Sequence, residues 1–417
     1  METRVYYATN RAHEGPERFK PTGYGTRFSS DGMENLRFGQ VSFDIDPAEV
    51  ERLLLKDKAH TGPGDGEALQ DYFAGCVEAS QRIEAYIEEI PAKGVNEAAQ
   101  PKSEVKLGSL AMFDDLRQDM LLGRDMLVLI HGYNVSWAEA VGTAAAFEAM
   151  LNRPDPGAPT PPQPVRVVLF TWPSNGKALP FVSYKSDRSD ATGSAGAVGR
   201  AFLKMRDFLH ALGRERRLEK GAAMADEKAR LLSAGMRPSE VDRALGQFES
   251  TELCGQKLHL LAHSMGNFVL QNALDRVWEN SPGSSMPRLF DQVFLCAADV
   301  DDDVLEPEQP MARLHQLSNR VWIYHNVNDR ALSVSDYTKG NPDRLGQRGA
   351  ARPQQLHQKV AQVDCSPLVT GLTQHSYYTN GLVTRDIRLA LQGLEPNAAQ
   401  RGLAAGDMPG RWQFRRP

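Results

Sequence analysis

Cysteine is scarce in this chain of 417 residues, and none of the four is placed to cooperate with another. Cys76, Cys254, Cys296 and Cys365 form no C-x-x-C pair, so neither a disulfide framework nor a cysteine zinc site is expected. Reduced, partly buried thiols in a reducing compartment are the expectation. No run of 18 apolar residues occurs, and the opening Met1-Glu2-Thr3-Arg4-Val5-Tyr6-Tyr7 has no apolar signal-peptide core. A soluble, cytoplasmic protein without a transmembrane segment is therefore expected. A basic surplus is also missing: 48 Lys and Arg against 53 Asp and Glu give a net charge of −5, without long runs of one sign. That argues against a nucleic-acid or anionic-membrane binder, whose phosphate contacts need excess positive charge. There is no internal repeat. Hydrophobic residues make up 41% of the chain, enough to fill a large core, and 35 Gly with 25 Pro supply the turns of a fold with many short connections.

Short β-type runs, Arg4–Ala8 and Gln40–Phe43, open the chain. From Gly66 to about Ala92 the apolar residues Leu69, Tyr72, Phe73, Cys76, Ile83, Tyr86 and Ile87 recur at helical spacing, and a second amphipathic helix is expected over Leu110–Leu122. Five continuous apolar runs follow: Met126–Ile130, Val165–Phe170, Leu258–Leu261, Gln292–Cys296 and Arg320–Tyr324. Runs of this kind suit strands buried on both faces, and helical patterns lie between most of them. The alternation predicts an α/β fold with a mainly parallel central sheet flanked by helices. Val360–Val363 is expected at the sheet edge. Two insertions interrupt the pattern. The proline-rich Pro154–Pro164 reads as a stiff surface loop. The charged, helical stretch 213–250 carries a capping box at Ser239-Glu240-Val241-Asp242 and reads either as a lid or as an extended layer helix. The main domain is expected over residues 1–392, and the tail 393–417 is expected to be poorly ordered.

The chemistry is carried by Leu258-His259-Leu260-Leu261-Ala262-His263-Ser264-Met265-Gly266-Asn267. An apolar strand runs into small-x-Ser-x-small and an apolar helix follows, which is the layout of a nucleophile elbow. The turn is strained, so its flanks must be small; Ala262 adds only a methyl where glycine is usual, and Gly266 keeps the second glycine. The Met265 N–H then points into the site from the helix N-terminus as an oxyanion donor. Strand Met126–Ile130 ends in His131-Gly132-Tyr133-Asn134, where the backbone N–H of Tyr133 or Asn134 is the second candidate donor. His131 reads as a loop brace rather than a base. The acid and histidine should follow Ser264 in chain order. Asp329, after strand Arg320–Tyr324, is the favoured acid, and His375, ahead of a helix over Gly381–Leu391, the favoured base; His357 reads as a surface residue. Asp299 is the competing acid. The Asp299-x-Asp301-x-Asp303 spacing imitates a calcium loop, but Val304 and Pro310 occupy the positions that need Gly and a bidentate Glu. Asp299 is expected instead at the pocket rim or in a helix cap. Trp172, Tyr184 and Asp187 are candidate pocket residues.

In these segments the chain resembles the bacterial α/β-hydrolases grouped as domain of unknown function 900. The similarity runs through Ala8-Thr9-Asn10-Arg11, His131-Gly132-Tyr133-Asn134-Val135-Ser136 and Thr171-Trp172-Pro173-Ser174, then Tyr184 and Asp187. It continues through Ala262–Asn267, Ala298-Asp299-Val300-Asp301, Asp329-Arg330-Ala331-Leu332, and His375 with Tyr377-Tyr378. It implies an α/β-hydrolase fold over residues 1–392, with 213–250 and the proline loop as additions, and a triad of Ser264, Asp329 and His375. It implies no particular substrate. The expectation is a serine hydrolase cleaving a small-molecule carboxylic ester through an acyl-enzyme, with no metal or organic cofactor. A lipase, thioesterase or amidase on the same triad, and a non-catalytic binding protein, are the alternatives.

Overall fold

The chain opens with β1 (Glu2–Thr9), a ribbon of β2 (Arg11–Glu14) and β3 (Gly23–Phe28), and β4 (Arg37–Asp44). There follow α1 (Pro47–Leu55), the two-residue pair β5 (Asp57–Lys58) and β6 (Gly62–Pro63), α2 (Gly66–Ser80), β7 (Arg82–Ala85) and α3 (Gly108–Leu121). Strands and helices then alternate: β8 (Asp125–Ile130), α4 (Trp137–Leu151), β9 (Val165–Thr171), α5 (Pro180–Ser233), β10 (Leu258–His263), α6 (Gly266–Glu279) and β11 (Phe290–Cys296). The order ends with β12 (Ser318–His325), β13 (Val360–Asp364), α7 (Gly381–Leu391), β14 (Leu403–Ala405) and β15 (Arg411–Phe414). This computed structural model describes residues 1–88, 107–154, 162–174, 180–237, 240–241, 256–279, 288–332, 343–369 and 375–415; along 180–183 and at many positions between 206 and 227 it describes the backbone alone.

Among the described residues, eleven strands form one sheet in the order β14-β15-β13-β12-β11-β10-β8-β9-β1-β4-β7. Every pairing from β15 across to β1 is parallel, and β14, β4 and β7 add antiparallel margins. Period-two alternation divides the strand side chains between two cores. Leu127, Leu129 and Leu261 join α2, α4 and α7 through Leu69, Phe73, Trp137, Phe147 and Ile387. Met126, Val128, Ile130, Leu260 and Ala262 face the other way, onto α3, α5 and α6 through Phe113, Val198, Phe202, Val269 and Leu274. A strand feeding both layers must be apolar on both faces, which is why these runs read as continuous rather than alternating. Helix starts are set by capping side chains. Asp65 accepts from the Ala68 N–H, Ser136 and Glu139 form a reciprocal capping box, and Asn380 accepts from the Leu382 N–H.

Three expectations need correction. The helix from Gly66 stops at Ser80, and Arg82–Ala85 is a strand pairing with β4 rather than a further turn of helix. Ile83 and Tyr86 suit either period in so short a stretch, and the exposed edge of β4 takes the strand. The segment Val360–Val363 is not an edge, because β15 pairs beyond it. The tail after Gly393 is not poorly ordered: Leu403 and Phe414 are buried in the core and Arg401 is bound by Asp386. Within the stretch 213–250, residues up to Ser233 continue α5, and Val241 packs back against Leu231. Ser239 and Asp242 of the expected capping box, and most of the proline loop, lie outside the described residues.

Candidate active site

Because the strands from β15 to β1 run parallel, their carboxyl ends share one rim of the sheet, where crevices form in α/β folds. At that rim β10 turns into α6 through Ser264, whose φ of +52° lies in the left-handed region rarely taken by residues other than glycine. Several bonds hold the turn. The Ser264 N–H donates to Cys296 O (3.0 Å), and the Ser264 carbonyl accepts from the N–H groups of Asn267 (3.0 Å) and Asp299 (3.2 Å). The buried Asn267 amide also donates to Ala262 O (2.9 Å). Gly266 is required sterically, since a Cβ there would lie 2.5 Å from Ile130 O and 2.7 Å from His131 O.

His375 Nδ1 lies 2.7 Å from Asp329 Oδ2, and Asp329 is only 2% exposed. The second Asp329 oxygen accepts from the Ala331 N–H (3.1 Å). Among the described residues His375 Nε2 has no hydrogen-bond partner. Ser264 and His375 line one cavity of about 220 Å³, together with Gly132, Tyr133, His263 and Tyr378. The rings of His263 and Tyr378 flank this site, and His263 Nε2 lies 3.3 Å from His375 O. Burial, with His375 alongside, pushes His263 well below the ordinary histidine range, so it packs as a neutral ring.

The competing acid is otherwise engaged. Asp299 Oδ2 accepts from the Tyr184 hydroxyl (2.8 Å), and its other oxygen lies 3.5 Å from Arg344 Nε. Asp301 also binds Arg344. Asp299 and Asp301 thus anchor a buried arginine behind the turn from β10 to α6.

The loop after β8 is fixed from three remote elements. The Asn134 N–H donates to Asp187 Oδ2 (2.9 Å), the Val135 N–H donates to Ser174 Oγ (3.1 Å), and Ser174 donates to Asp187 (2.7 Å). Asn134 is thus removed as an oxyanion donor. Among the described residues, the N–H groups of Tyr133 and Met265 donate to no protein acceptor. Beneath the loop lies Arg11, fully buried. It donates to Thr171 Oγ1 (2.9 Å), Gly25 O (3.1 Å) and Val135 O (2.7 Å). Burial lowers its pKa to about 9, against the pull of Asp187 and Glu139. Thr171, acting as acceptor to Arg11, is left to donate to His131 Nε2 (2.9 Å), and His131 Nδ1–H then donates to Gly132 O (2.7 Å). Burial, with Arg11 nearby, lowers His131 to about 3, so it is neutral and a brace rather than a base.

The family of α/β-hydrolases of unknown function designated DUF900 matches residues 112–210 and 233–388, which hold Ser264, Asp329 and His375. The chain belongs to this family. No curated protein and no solved structure matches it significantly. The match passes over residues 211–232 but takes in 233–250 and the proline loop 154–164, which were expected to be additions, and it starts inside α3. The parallel sheet between helix layers is the α/β-hydrolase fold.

The remaining pocket candidates lie elsewhere than expected. Trp172, Tyr184, Asp187 and Asp299 are all buried, and none lines the cavity at Ser264. Trp172 stacks on His131 with centroids 5.4 Å apart, and its indole N–H donates to His131 O (3.0 Å). The cavity is instead closed by Gln70 and Asp71 of α2, which sequence reasoning missed. Their only signal was their place on the polar side of an amphipathic helix. His357 is exposed and stacks on His315. Among the described residues no three His, Cys, Asp or Glu side chains converge as a metal site, and no helix is long and apolar enough to cross a membrane.

Proposed function

We propose that this protein is a serine hydrolase of carboxylic esters in which Ser264 is the nucleophile, His375 the general base and Asp329 its orienting acid. The observation that carries the reading is the His375–Asp329 contact of 2.7 Å, with Nε2 left without a hydrogen-bond partner among the described residues and His375 lining one cavity with Ser264. An aspartate on Nδ1 fixes the tautomer that leaves Nε2 as the acceptor. Ser264 Oγ attacks the acyl carbon as its proton passes to His375 Nε2. The carbonyl π pair moves to oxygen, where the N–H groups of Met265 and Tyr133 stabilise it; each such donor supplies roughly 10²–10³ in rate. Collapse expels the alcohol, which takes the proton from His375, and leaves an acyl-Ser264 ester. Water, deprotonated by His375, then repeats the sequence and releases the acid.

The test is turnover of p-nitrophenyl esters across acyl lengths by the full chain and two variants. Ser264→Ala is expected to abolish turnover without loss of folding, and Asp329→Asn to lower kcat by about 10³–10⁴. Retained turnover in Ser264→Ala would remove it as nucleophile. No turnover at any length would favour a binding protein on the same fold.

A further inference from the structure

On that reading His375 must be kept within reach of Ser264, and among the described residues two hydrogen bonds hold it. Asp329 takes the ring, at Nδ1. The main chain of His375 makes one hydrogen bond among the described residues, and its donor is His263, the residue immediately before Ser264. His263 Nε2 lies 3.3 Å from His375 O. A carbonyl oxygen only accepts, so Nε2 carries the hydrogen and His263 is the Nε2–H tautomer.

The donor is itself rigidly placed. His263 ends β10 and pairs with Cys296 of β11, so the centre of the sheet fixes its main chain. Its ring is boxed by Tyr378, with centroids 4.8 Å apart, and by His375, at 4.9 Å. Gly132 lies against Nδ1, where a Cβ would come within 3.2 Å. Two residues beyond the base, the Tyr377 hydroxyl donates to Tyr324 O (2.7 Å) and accepts from the Ala297 N–H (3.0 Å). Tyr377 thus anchors the downstream chain to β12 and the end of β11, and the His263 bond ties the His375 peptide to the strand that carries Ser264.

The tie also suits the chemistry. When the Ser264 proton passes to His375, that ring becomes a cation beside His263, and a second cation there would oppose the transfer. Burial, with His375 alongside, keeps His263 neutral. It can therefore donate to the main chain of the base without competing for its charge. A phenylalanine could fill the same box, so packing alone does not call for a histidine; the donor does.

We infer that His263 is a positioning residue for the base: its Nε2–H, bound to the His375 carbonyl, holds the loop bearing His375 in register with the end of β10. The inference rests on the serine-hydrolase reading and deepens it.

Three variants of the full chain separate donor, ring and reach. Glutamine offers an amide N–H near the place of Nε2, asparagine offers the same amide near the place of Nδ1, and phenylalanine keeps the ring without the donor. With p-nitrophenyl acetate, His263→Asn and His263→Phe are expected to lose about tenfold in kcat, the scale of one hydrogen bond, with KM within about twofold of the wild type. His263→Gln should keep kcat within about threefold of the wild type. The rate at which a fluorophosphonate labels Ser264 should follow the same order. Asparagine and glutamine bury the same group, so their difference reads reach rather than polarity. Should an amide variant fail to fold, His263→Phe decides by itself. Full kcat in His263→Phe, equal losses in His263→Gln and His263→Asn, or losses carried by KM overturn the inference. If the wild type turns over and Ser264 takes the label while this order fails, the role of His263 alone is wrong. If the wild type neither cleaves the ester nor takes the label, the hydrolase reading falls and this inference with it.

Discussion

Ser264 holds a backbone conformation that an L-residue adopts at a cost of about 1–2 kcal/mol and glycine adopts freely. The three backbone bonds around it and the Asn267 amide offset that cost, and the result is a hydroxyl carried at the tip of the turn between β10 and α6. The strain belongs to the position and not to the side chain. Two inactive variants should therefore differ in stability: Ser264→Gly is expected to be about 1 kcal/mol more stable than Ser264→Ala in urea unfolding. Equal stabilities, or a more stable alanine variant, would mean the turn is not strained. The turn was legible because its signal is contiguous: strand, small residue, serine, glycine and helix lie within a dozen positions. Arg11, Thr171 and Asp187 were not legible in their roles. They converge on the loop 131–135 from β-strand ends and a helix far apart in the chain, and each looks alone like an ordinary polar residue. Asn134 was misassigned for the same reason, since only the fold brings Asp187 to its N–H.

The central strands and helices of the sheet were legible from apolar runs and from the helical period, because burial on both faces leaves no other pattern open. The margins were not. β7 is four residues long, and β14 and β15 are short and partly polar, so their pairing partners decide their conformation. β15 lies against β13, with Phe414 and Leu403 buried. Deleting residues 402–417 is expected to lower stability by about 3–6 kcal/mol, the burial of two large apolar side chains, and to uncover the β13 edge for association. Thermal melting with light scattering would show both effects. A truncated chain that melts and scatters like the full one would return the tail to the status of an appendage.

For the molecule as a whole, buried histidines set an acid limit, His131 and His263 among them. His131, at about 3, and His263, well below its ordinary range, are neutral when folded, whereas in the unfolded chain each takes a proton near pH 6.5. Between these values the unfolded state binds more protons, so stability falls as pH drops below about 6.5. From pH 7 to pH 5, His131 alone contributes a loss of about 2 kcal/mol. A His131→Gln variant should lose that much less than the wild type over the same interval in urea midpoints; parallel losses would show that His131 is not held neutral. On the proposed mechanism catalysis and stability are joined here, since the ring that resists protonation also braces the loop bearing the Tyr133 N–H.

The central claim is that Ser264 is chemically activated by His375 and Asp329, and covalent labelling by a fluorophosphonate, followed by peptide mapping, tests it most directly. A single adduct is predicted on the peptide carrying Ser264, absent in Ser264→Ala and formed far more slowly in Asp329→Asn. An adduct elsewhere, or none on a protein shown to be folded, would contradict it.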